Sequence, residues 1–186
     1  ELLVVSFAGA LGILVLYVKL ENPAANIDRH TGMFNQNAMS EYIRHLYSVD
    51  RKFAILFVTF DSLVSKSLNP SDKKKLQSEE LQYLLSIKEA NIFHKSEDEI
   101  VLIFEDADRA KEWTETLAKH FHGGKDGEDT ILYKVKWVLV PDSSLIRSAG
   151  DMSYLMKYMN GVQNLSLEEN NILIVDEKLI SQMYEE

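Results

Sequence analysis

The segment between residues 92 and 104, IFHKSEDEIVLIF, is the feature that most constrains the fold of this chain. Two short apolar runs flank a polar turn, which predicts a β-hairpin. A further apolar run, KFAILFVTF, ends at Asp61 and is typical of a central strand buried on both faces. Helical patterns lie before and after the hairpin. Strand pairs that alternate with helices predict an α+β fold, with helices packed on one sheet, and not a doubly wound parallel sheet.

Apolar periodicity extends this prediction along the rest of the chain. Asn35 and Asn69 are candidate N-caps of two helices. Predicted helices cover residues 35–48, 69–90, 107–121, 143–159 and 176–186, and predicted strands cover residues 52–60, 131–140 and 171–175.

Large apolar side chains in the amphipathic patterns are the candidate core. Trp113 and Trp137 are expected to lie in the core or partly in it. Met152, Met156 and Met159 share one helix face, where the flexible methionine side chain is a good core filler. A surface that faces a partner protein is the alternative for the three methionines.

The chain opens with the apolar segment LLVVSFAGALGILVLYVKL, which has no polar face at any helical period. A helix that is apolar on all sides lies either in lipid or deep in a protein. The segment approaches the roughly 20 residues that cross a bilayer. Tyr17 and Lys19 are typical of an interface anchor. We therefore expect a transmembrane helix over residues 1–20, in contact with membrane lipid, with a buried core helix as the alternative. Residues 21–27 are then a linker, and Lys19 and Arg29 favour a cytoplasmic location for the following domain.

Composition excludes several classes of function. The formal net charge of -9 argues against binding of nucleic acid through a basic patch. The chain has no cysteine, which excludes disulfides, thiol catalysis and cysteine-bound zinc. His94, His120 and His122 lack the spacing of a zinc site.

Two separated motifs carry a resemblance to a known family. The segment NIDRHTGMFNQNAM resembles the Asp-x-Leu-Thr-Gly-Leu-x-Asn turn of GGDEF domains. It matches at Asp28, Thr31, Gly32 and Asn35, and has His30 where leucine is usual. Further along, HKSEDEI occupies the slot of the family's signature hairpin, Arg-x-Gly-Gly-Asp-Glu-Phe. The order of elements also agrees with the family from residue 24 to residue 175. The chain thus resembles a degenerate GGDEF domain.

The resemblance implies a fold, and an activity for intact members. The fold is the palm-like sheet of nucleotidyl cyclases, with a ferredoxin-like core, expected over residues 28–176. Intact members join two GTP molecules into cyclic di-GMP across a dimer, using divalent metal held by carboxylates of the hairpin and the central strand. Two glycines let the hairpin backbone approach the triphosphate. Residues 177–186 would be an exit helix to a downstream domain, such as an EAL phosphodiesterase domain.

The chain departs from the family at most of these positions. Ser96 and Glu97 replace the two glycines, so side chains fill the space of the close approach. Thr59 replaces the first acid of the strand motif Asp-x-Asp, of which Asp61 remains. The Gly-His-x-x-Gly-Asp segment is missing from residues 69–80. Leu63 and Val64 stand where the family has Phe-Lys, and Ser67 stands where it has the guanine-reading asparagine. Residues 87–90 lack the inhibitory Arg-x-x-Asp site. A later helix motif keeps Asp151 but has Tyr158 in place of its final lysine.

We therefore expect no catalytic residues and no diguanylate cyclase activity in this chain. Asp61 and Asp98 are the candidates for any weak binding of nucleotide or metal, and a solvated turn is the alternative for the acidic tip. The remnant of the signature hairpin comprises Ser96, Glu97, Asp98, Glu99 and Ile100.

The leading hypothesis is a noncatalytic regulatory domain of a membrane-bound cyclic di-GMP signalling protein, with no cofactor. A downstream output domain and a second copy of the chain are the expected partners. One alternative is a GTP-binding allosteric sensor, with Mg²⁺ alongside GTP, that controls an EAL domain. The other is a nucleotidyl cyclase of altered specificity.

Overall fold

The computed structural model describes residues 23–29, 31–61, 81–96, 98–122, 134–166 and 172–185. The predicted transmembrane helix, His30, Glu97 and residues 62–80 lie outside this range. Among the described residues, no helix combines the length and the apolar character needed to cross a bilayer.

Helices and strands alternate along the chain much as the apolar pattern predicts. Residues 81–85 are helical, and residues 143–145 form a short 3-10 helix. The helices are α1 (Pro23–Asn26), α2 (Gln36–Ser48), α3 (Ala107–His122), α4 (Ala149–Ser166) and α5 (Glu177–Glu185). The strands are β1 (Phe34–Asn35), β2 (Ala54–Asp61), β3 (Ala90–Ser96), β4 (Glu99–Phe104), β5 (Lys134–Val140) and β6 (Ile172–Ile174).

The six strands form one mixed sheet in the order β1-β3-β4-β2-β5-β6. The predicted hairpin is the antiparallel pair of β3 and β4, and β2 lies antiparallel between β4 and β5. The outermost strands, β1 and β6, each join in parallel. The α+β class is therefore confirmed, and it brings the hairpin tip to the end of the central strand.

Apolar side chains cover both faces of the sheet. One cluster packs α2, α4 and α5 against it, and the other packs α3 and the segment around Leu84. β2 serves both clusters by strand alternation, with Ile55 and Phe57 on one face and Leu56 and Val58 on the other. This double burial explains why the strand is almost continuously apolar.

The core predictions for the large side chains are confirmed. Trp137 is buried in the cluster beneath α3, and Trp113 packs partly buried against the same cluster. The three methionines of α4 are buried in the opposite cluster, so the alternative of a partner-facing surface is wrong for them.

Three predicted helix boundaries were wrong, and one of them is the end of α4, which lies at Ser166 and not at Met159. The helix expected to reach Ala90 ends by residue 85, because Ser86 and Ile87 bond back to the preceding turn and Ala90 already pairs with Phe104. The helix expected from Ser143 begins at Ala149. Ser143 donates its N–H to the Phe53 carbonyl at 2.8 Å and accepts the Phe53 N–H at its hydroxyl, which holds it against β2.

The C-terminal helix α5 packs back onto the domain over its described length. Ile180 and Met183 are buried in the same cluster as α2 and α4. The guanidinium of Arg147 lies 4.5 Å from the ring centre of Tyr184, a cation-π geometry. Partial burial and a hydrogen bond with the Asp151 carboxylate raise the pKa of Tyr184. The predicted exit helix is thus also a packing element of the core.

A prediction concerns Asp142, whose carboxylate caps the 3-10 helix. Oδ1 accepts the Ser144 N–H at 2.7 Å, and the hydrogen bonds from Ser144 lower the pKa of Asp142. Asp142→Ala should therefore lower the free energy of unfolding at neutral pH by about 1 kcal/mol, the usual cost of losing such a cap. A depressed pKa stabilises the fold above the unfolded-state pKa of about 3.9, and this contribution is lost as pH falls through the folded-state pKa.

The measurement is urea unfolding of wild type and Asp142→Ala between neutral and acidic pH. The difference should shrink as the medium becomes acidic. Asp142→Asn is the control, because it keeps an oxygen acceptor without the charge. A difference between wild type and Asp142→Ala that stays constant or grows toward acid would contradict the capping account.

Candidate functional site at the β3–β4 hairpin

The tip of the hairpin lies beside the end of the central strand β2. Thr59 is directly opposite Glu99 across the β2–β4 ladder. The backbone N–H of Phe60 donates to the carbonyl of Asp98 at 2.8 Å. The fold therefore brings the end of the central strand and the acidic hairpin together at one end of the sheet. Asp61 is the last residue of β2, opposite Lys134 on β5.

A β-bulge shapes the last residues of β3. His94 pairs with Ile100 and Ser96 pairs with Glu99, so Lys95 is the extra residue on this strand. Such a bulge changes the direction of a side chain relative to the regular ladder. Here Lys95 lies against Glu99, and their side chains meet.

Lys95 and Glu99 form a close and largely buried ion pair. The ammonium Nζ lies 2.7 Å from Oε2 of Glu99, and the two side chains are only 15% and 18% exposed. The hydroxyl of Ser96 is 3.4 Å from the same carboxylate oxygen. In contrast, Asp98 is exposed at the tip. Glu99 and Asp98 thus have different environments: Glu99 is paired with a positive charge within the hairpin, while Asp98 faces solvent.

The ion pair lines a small pocket between the sheet and α4. Thr59 is the other residue of the lining with a polar side chain, and the apolar side chains on the α4 face of the sheet are Phe57, Met156 and Met159. Val58 and Ile100 also line the pocket, but their side chains belong to the cluster on the opposite face. An apolar wall lowers the local dielectric, which strengthens the attraction within the pair and raises the cost of separating it.

The N-terminal turn of the domain, residues 28–35, is built around one carboxylate. Oδ1 of Asp28 accepts the N–H of Thr31 at 2.8 Å and its hydroxyl at 3.0 Å. Gly32 has φ +71, a left-handed conformation that favours glycine. Asn35 then caps α2 by accepting the N–H groups of Asn37 and Ala38. All four residues matched by the resemblance therefore have local structural roles in this turn or at the start of α2.

This turn is joined to the hairpin through His94. Nδ1 of His94 lies 3.4 Å from Oδ2 of Asp28, with both side chains largely buried. β1 pairs in parallel with β3 at Phe34 with Phe93 and Asn35 with His94. The start of the domain is therefore in direct contact with the hairpin, through a side-chain pair and a strand pairing.

The described residues do not fit a divalent metal ion. Such ions need several converging oxygen ligands. Thr59 supplies a hydroxyl where an acid is expected, and the Glu99 carboxylate is already paired with Lys95. In the described part of the chain, no three His, Cys, Asp or Glu side chains converge as metal ligands. The side chains of Asp61 and Glu97 lie outside the described set.

His94 and His120 lie in separate parts of the structure. His94 faces Asp28, whereas His120 stacks on the ring of Tyr83 with 3.7 Å between ring centres. The two belong to different elements, β3 and α3.

Several other positions of the family motifs lie among the described residues. Ile87 is buried in the core, and Ala90 begins β3, so residues 87–90 are a connection between a helix and the hairpin. Asp151 lies in the first turn of α4, where its N–H donates to the hydroxyl of Ser148. Tyr158 packs partly buried on the core. Leu63, Val64 and Ser67 lie outside the described residues.

Sequence reasoning missed Lys95 and the contact between Asp28 and His94. The signal for Lys95 was present: a lysine and a glutamate four residues apart across a tight turn, where opposite charges can meet. The contact of His94 with Asp28 needs the parallel pairing of β1 with β3, and a two-residue strand leaves no periodic pattern to detect.

Solved structures of GGDEF domains match this fold over most of the chain. A microbial GGDEF domain, described in its interaction with cyclic di-GMP, matches with TM-score 0.63 at 10% identity, covering 82% of this chain and 97% of that one. The diguanylate cyclase SiaD of Pseudomonas aeruginosa, in complex with its activator SiaC, gives 0.61 at 11% identity over 94% and 70%. The coiled coil and GGDEF domain of DgcB from Caulobacter crescentus, in complex with c-di-GMP, gives 0.56 at 8% identity over 94% and 98%.

The fold of this chain is therefore that of GGDEF domains, as the two motifs implied. No protein-family model matches the chain, and no curated protein matches it in sequence. At these identities the likeness concerns the fold, so the function is argued from the residues of the hairpin.

Proposed function

We propose that this chain is a noncatalytic regulatory domain of a membrane-bound cyclic di-GMP signalling protein, without diguanylate cyclase activity. The observation that carries the proposal is the ion pair between Lys95 and Glu99 beside Thr59. A hairpin acid whose charge is already neutralised is a poor ligand for the metal that nucleotide chemistry needs.

The backbone at the tip supports the same proposal. Ser96 is a strand residue paired with Glu99, and its side chain bonds within the hairpin. A glycine at this position would leave the backbone open to a phosphate, whereas a side chain obstructs the approach. Loss of both glycines therefore disfavours triphosphate binding in the manner of intact members.

The regulatory part of the proposal rests on how the two ends of the domain are packed. The N-terminal turn contacts the hairpin through Asp28 and His94, and α5 packs on the core through Ile180 and Met183. A displacement imposed at the N-terminal side would thus be transmitted to α5 through these packed residues. Residues 1–20 are the proposed membrane anchor on sequence grounds, and the proposed output domain follows α5.

A second candidate is a GTP-binding allosteric sensor that controls an EAL phosphodiesterase domain. The exposed carboxylate of Asp98, at a tip bonded to β2, is the observation that favours it. A ligand shifts a regulatory equilibrium only through different affinities for two states. Mg²⁺ would then arrive with GTP, and a cyclase of altered specificity would need the same ligands.

The experiment is a calorimetric titration of the full chain in detergent with GTP and then cyclic di-GMP, in magnesium buffer. The leading proposal predicts no heat of binding with either ligand, while circular dichroism shows folded protein. Binding of GTP without turnover would favour the sensor and overturn the leading form. In that case Asp98→Ala and Asp61→Ala should each weaken the binding.

A further inference from the structure

The geometry points to Lys95 as a counterion supplied by the chain itself, which occupies the place of a divalent cation and closes the hairpin site to metal. This inference rests on the proposed function, because it names the residue that keeps metal from the proposed noncatalytic site. Lys95, in addition to the lost glycines, is then a reason why the site does not bind metal.

The charge of the Glu99 carboxylate must be balanced within the pocket. The Glu99 side chain is 18% exposed and lines a pocket whose apolar side chains include Phe57, Met156 and Met159. A carboxylate in such a place is stable only when a positive charge or hydrogen bonds compensate it. Lys95 provides that charge at 2.7 Å, on a side chain that is itself only 15% exposed.

Lys95 and a metal ion would compete for one carboxylate, that of Glu99. A divalent ion that bound Glu99 would have to displace the ammonium or lie next to it, and like charges at that distance repel. Displacement would leave the ammonium largely buried without a partner, which is costly.

The β-bulge at the end of β3 determines where Lys95 leaves the strand. Lys95 is the extra residue between the two flanking pairs of the β3–β4 ladder. The bulge therefore sets the direction in which the Lys95 side chain leaves the strand, and that side chain lies beside Glu99.

The test uses Mn²⁺ as the probe and the melting temperature of the full chain in detergent as the readout. Wild type should show no Mn²⁺-dependent shift. Lys95→Met keeps an unbranched side chain but removes the charge, so it should melt lower. Millimolar Mn²⁺ should then raise its melting temperature by about 2–4 °C. The double variant Lys95→Met with Glu99→Gln should lose this response to Mn²⁺.

Lys88→Met is the matched control, because Lys88 is exposed in the connection just before β3. Equal Mn²⁺ responses in Lys95→Met and Lys88→Met would overturn the inference. So would a Mn²⁺ response in wild type that Glu99→Gln removes. Either result leaves the absence of cyclase activity to be judged separately, since neither readout measures turnover.

A second measurement needs only wild-type protein, and it covers the case in which Lys95→Met does not fold. Amine acylation followed by peptide mass spectrometry should label Lys95 more slowly than Lys88, at the same rate with or without Mn²⁺. Faster labelling of Lys95 when Mn²⁺ is present would mean that metal displaces the ammonium, and it would contradict the inference.

Discussion

Trp137→Ala will lower the free energy of unfolding by about 3–5 kcal/mol, the usual cost of truncating a buried tryptophan. Trp137 is only 2% exposed and lies on β5 next to the central strand, opposite Val58. Its ring centre lies 5.6 Å from that of Phe121 on α3, so the substitution opens a cavity between sheet and helix. A loss of this size is a large part of the roughly 5–15 kcal/mol that stabilises a domain.

Trp113→Ala is the matched control for this prediction, because the same substitution is made on α3 where the side chain is only partly buried. Urea unfolding followed by circular dichroism gives both values. The tighter burial of Trp137 requires the larger loss. If Trp113→Ala were at least as destabilising, the placement of the core between β5 and α3 would be wrong.

Asp28→Ala will lower the free energy of unfolding by about 2–3 kcal/mol, because hydrogen bonds to a charged acceptor are lost and their donors stay partly buried. The substitution removes the acceptor of the Thr31 N–H and hydroxyl. It also removes the contact with His94, which joins the N-terminal turn to the hairpin. The effect should therefore reach β3, and hydrogen exchange should quicken there as well as in the turn.

Two controls bracket the result. Asp28→Asn keeps an oxygen acceptor for Thr31 and loses only the charge beside His94, so its loss should be smaller. Asp106→Ala removes a carboxylate that also accepts two N–H groups, but an exposed one at the start of α3. It should cost about 1 kcal/mol, as exposed caps do. Exchange in β3 that is unchanged in Asp28→Ala would contradict a coupling between the turn and the hairpin.

The sequence predicts the architecture well where the apolar residues form a continuous run or recur at regular spacing. The apolar run of β2, the hairpin and the amphipathic helices α2 and α3 all follow from the spacing of apolar residues. The helix boundaries near Ala90 and Ser143 did not follow, because they depend on tertiary partners. Ser143 is held by Phe53, which is distant in sequence.

The site is only partly predictable for a related reason. Residue types at the motif positions predict what has been lost, such as the two glycines at Ser96 and Glu97. The replacement for a lost group depends on geometry. The pairing of Lys95 with Glu99 requires a bulge, and a bulge depends on the register of both strands. The link from Asp28 to His94 likewise requires the pairing of β1 with β3.

The measurement that tests the central claim most directly is synthesis of cyclic di-GMP by the full chain in detergent. The protein is supplied with GTP and Mg²⁺, and products are separated by chromatography beside an active diguanylate cyclase. The account predicts no cyclic di-GMP above a blank without protein. Synthesis that requires Mg²⁺ and disappears in Asp98→Ala would contradict the account and make the hairpin a working catalytic site.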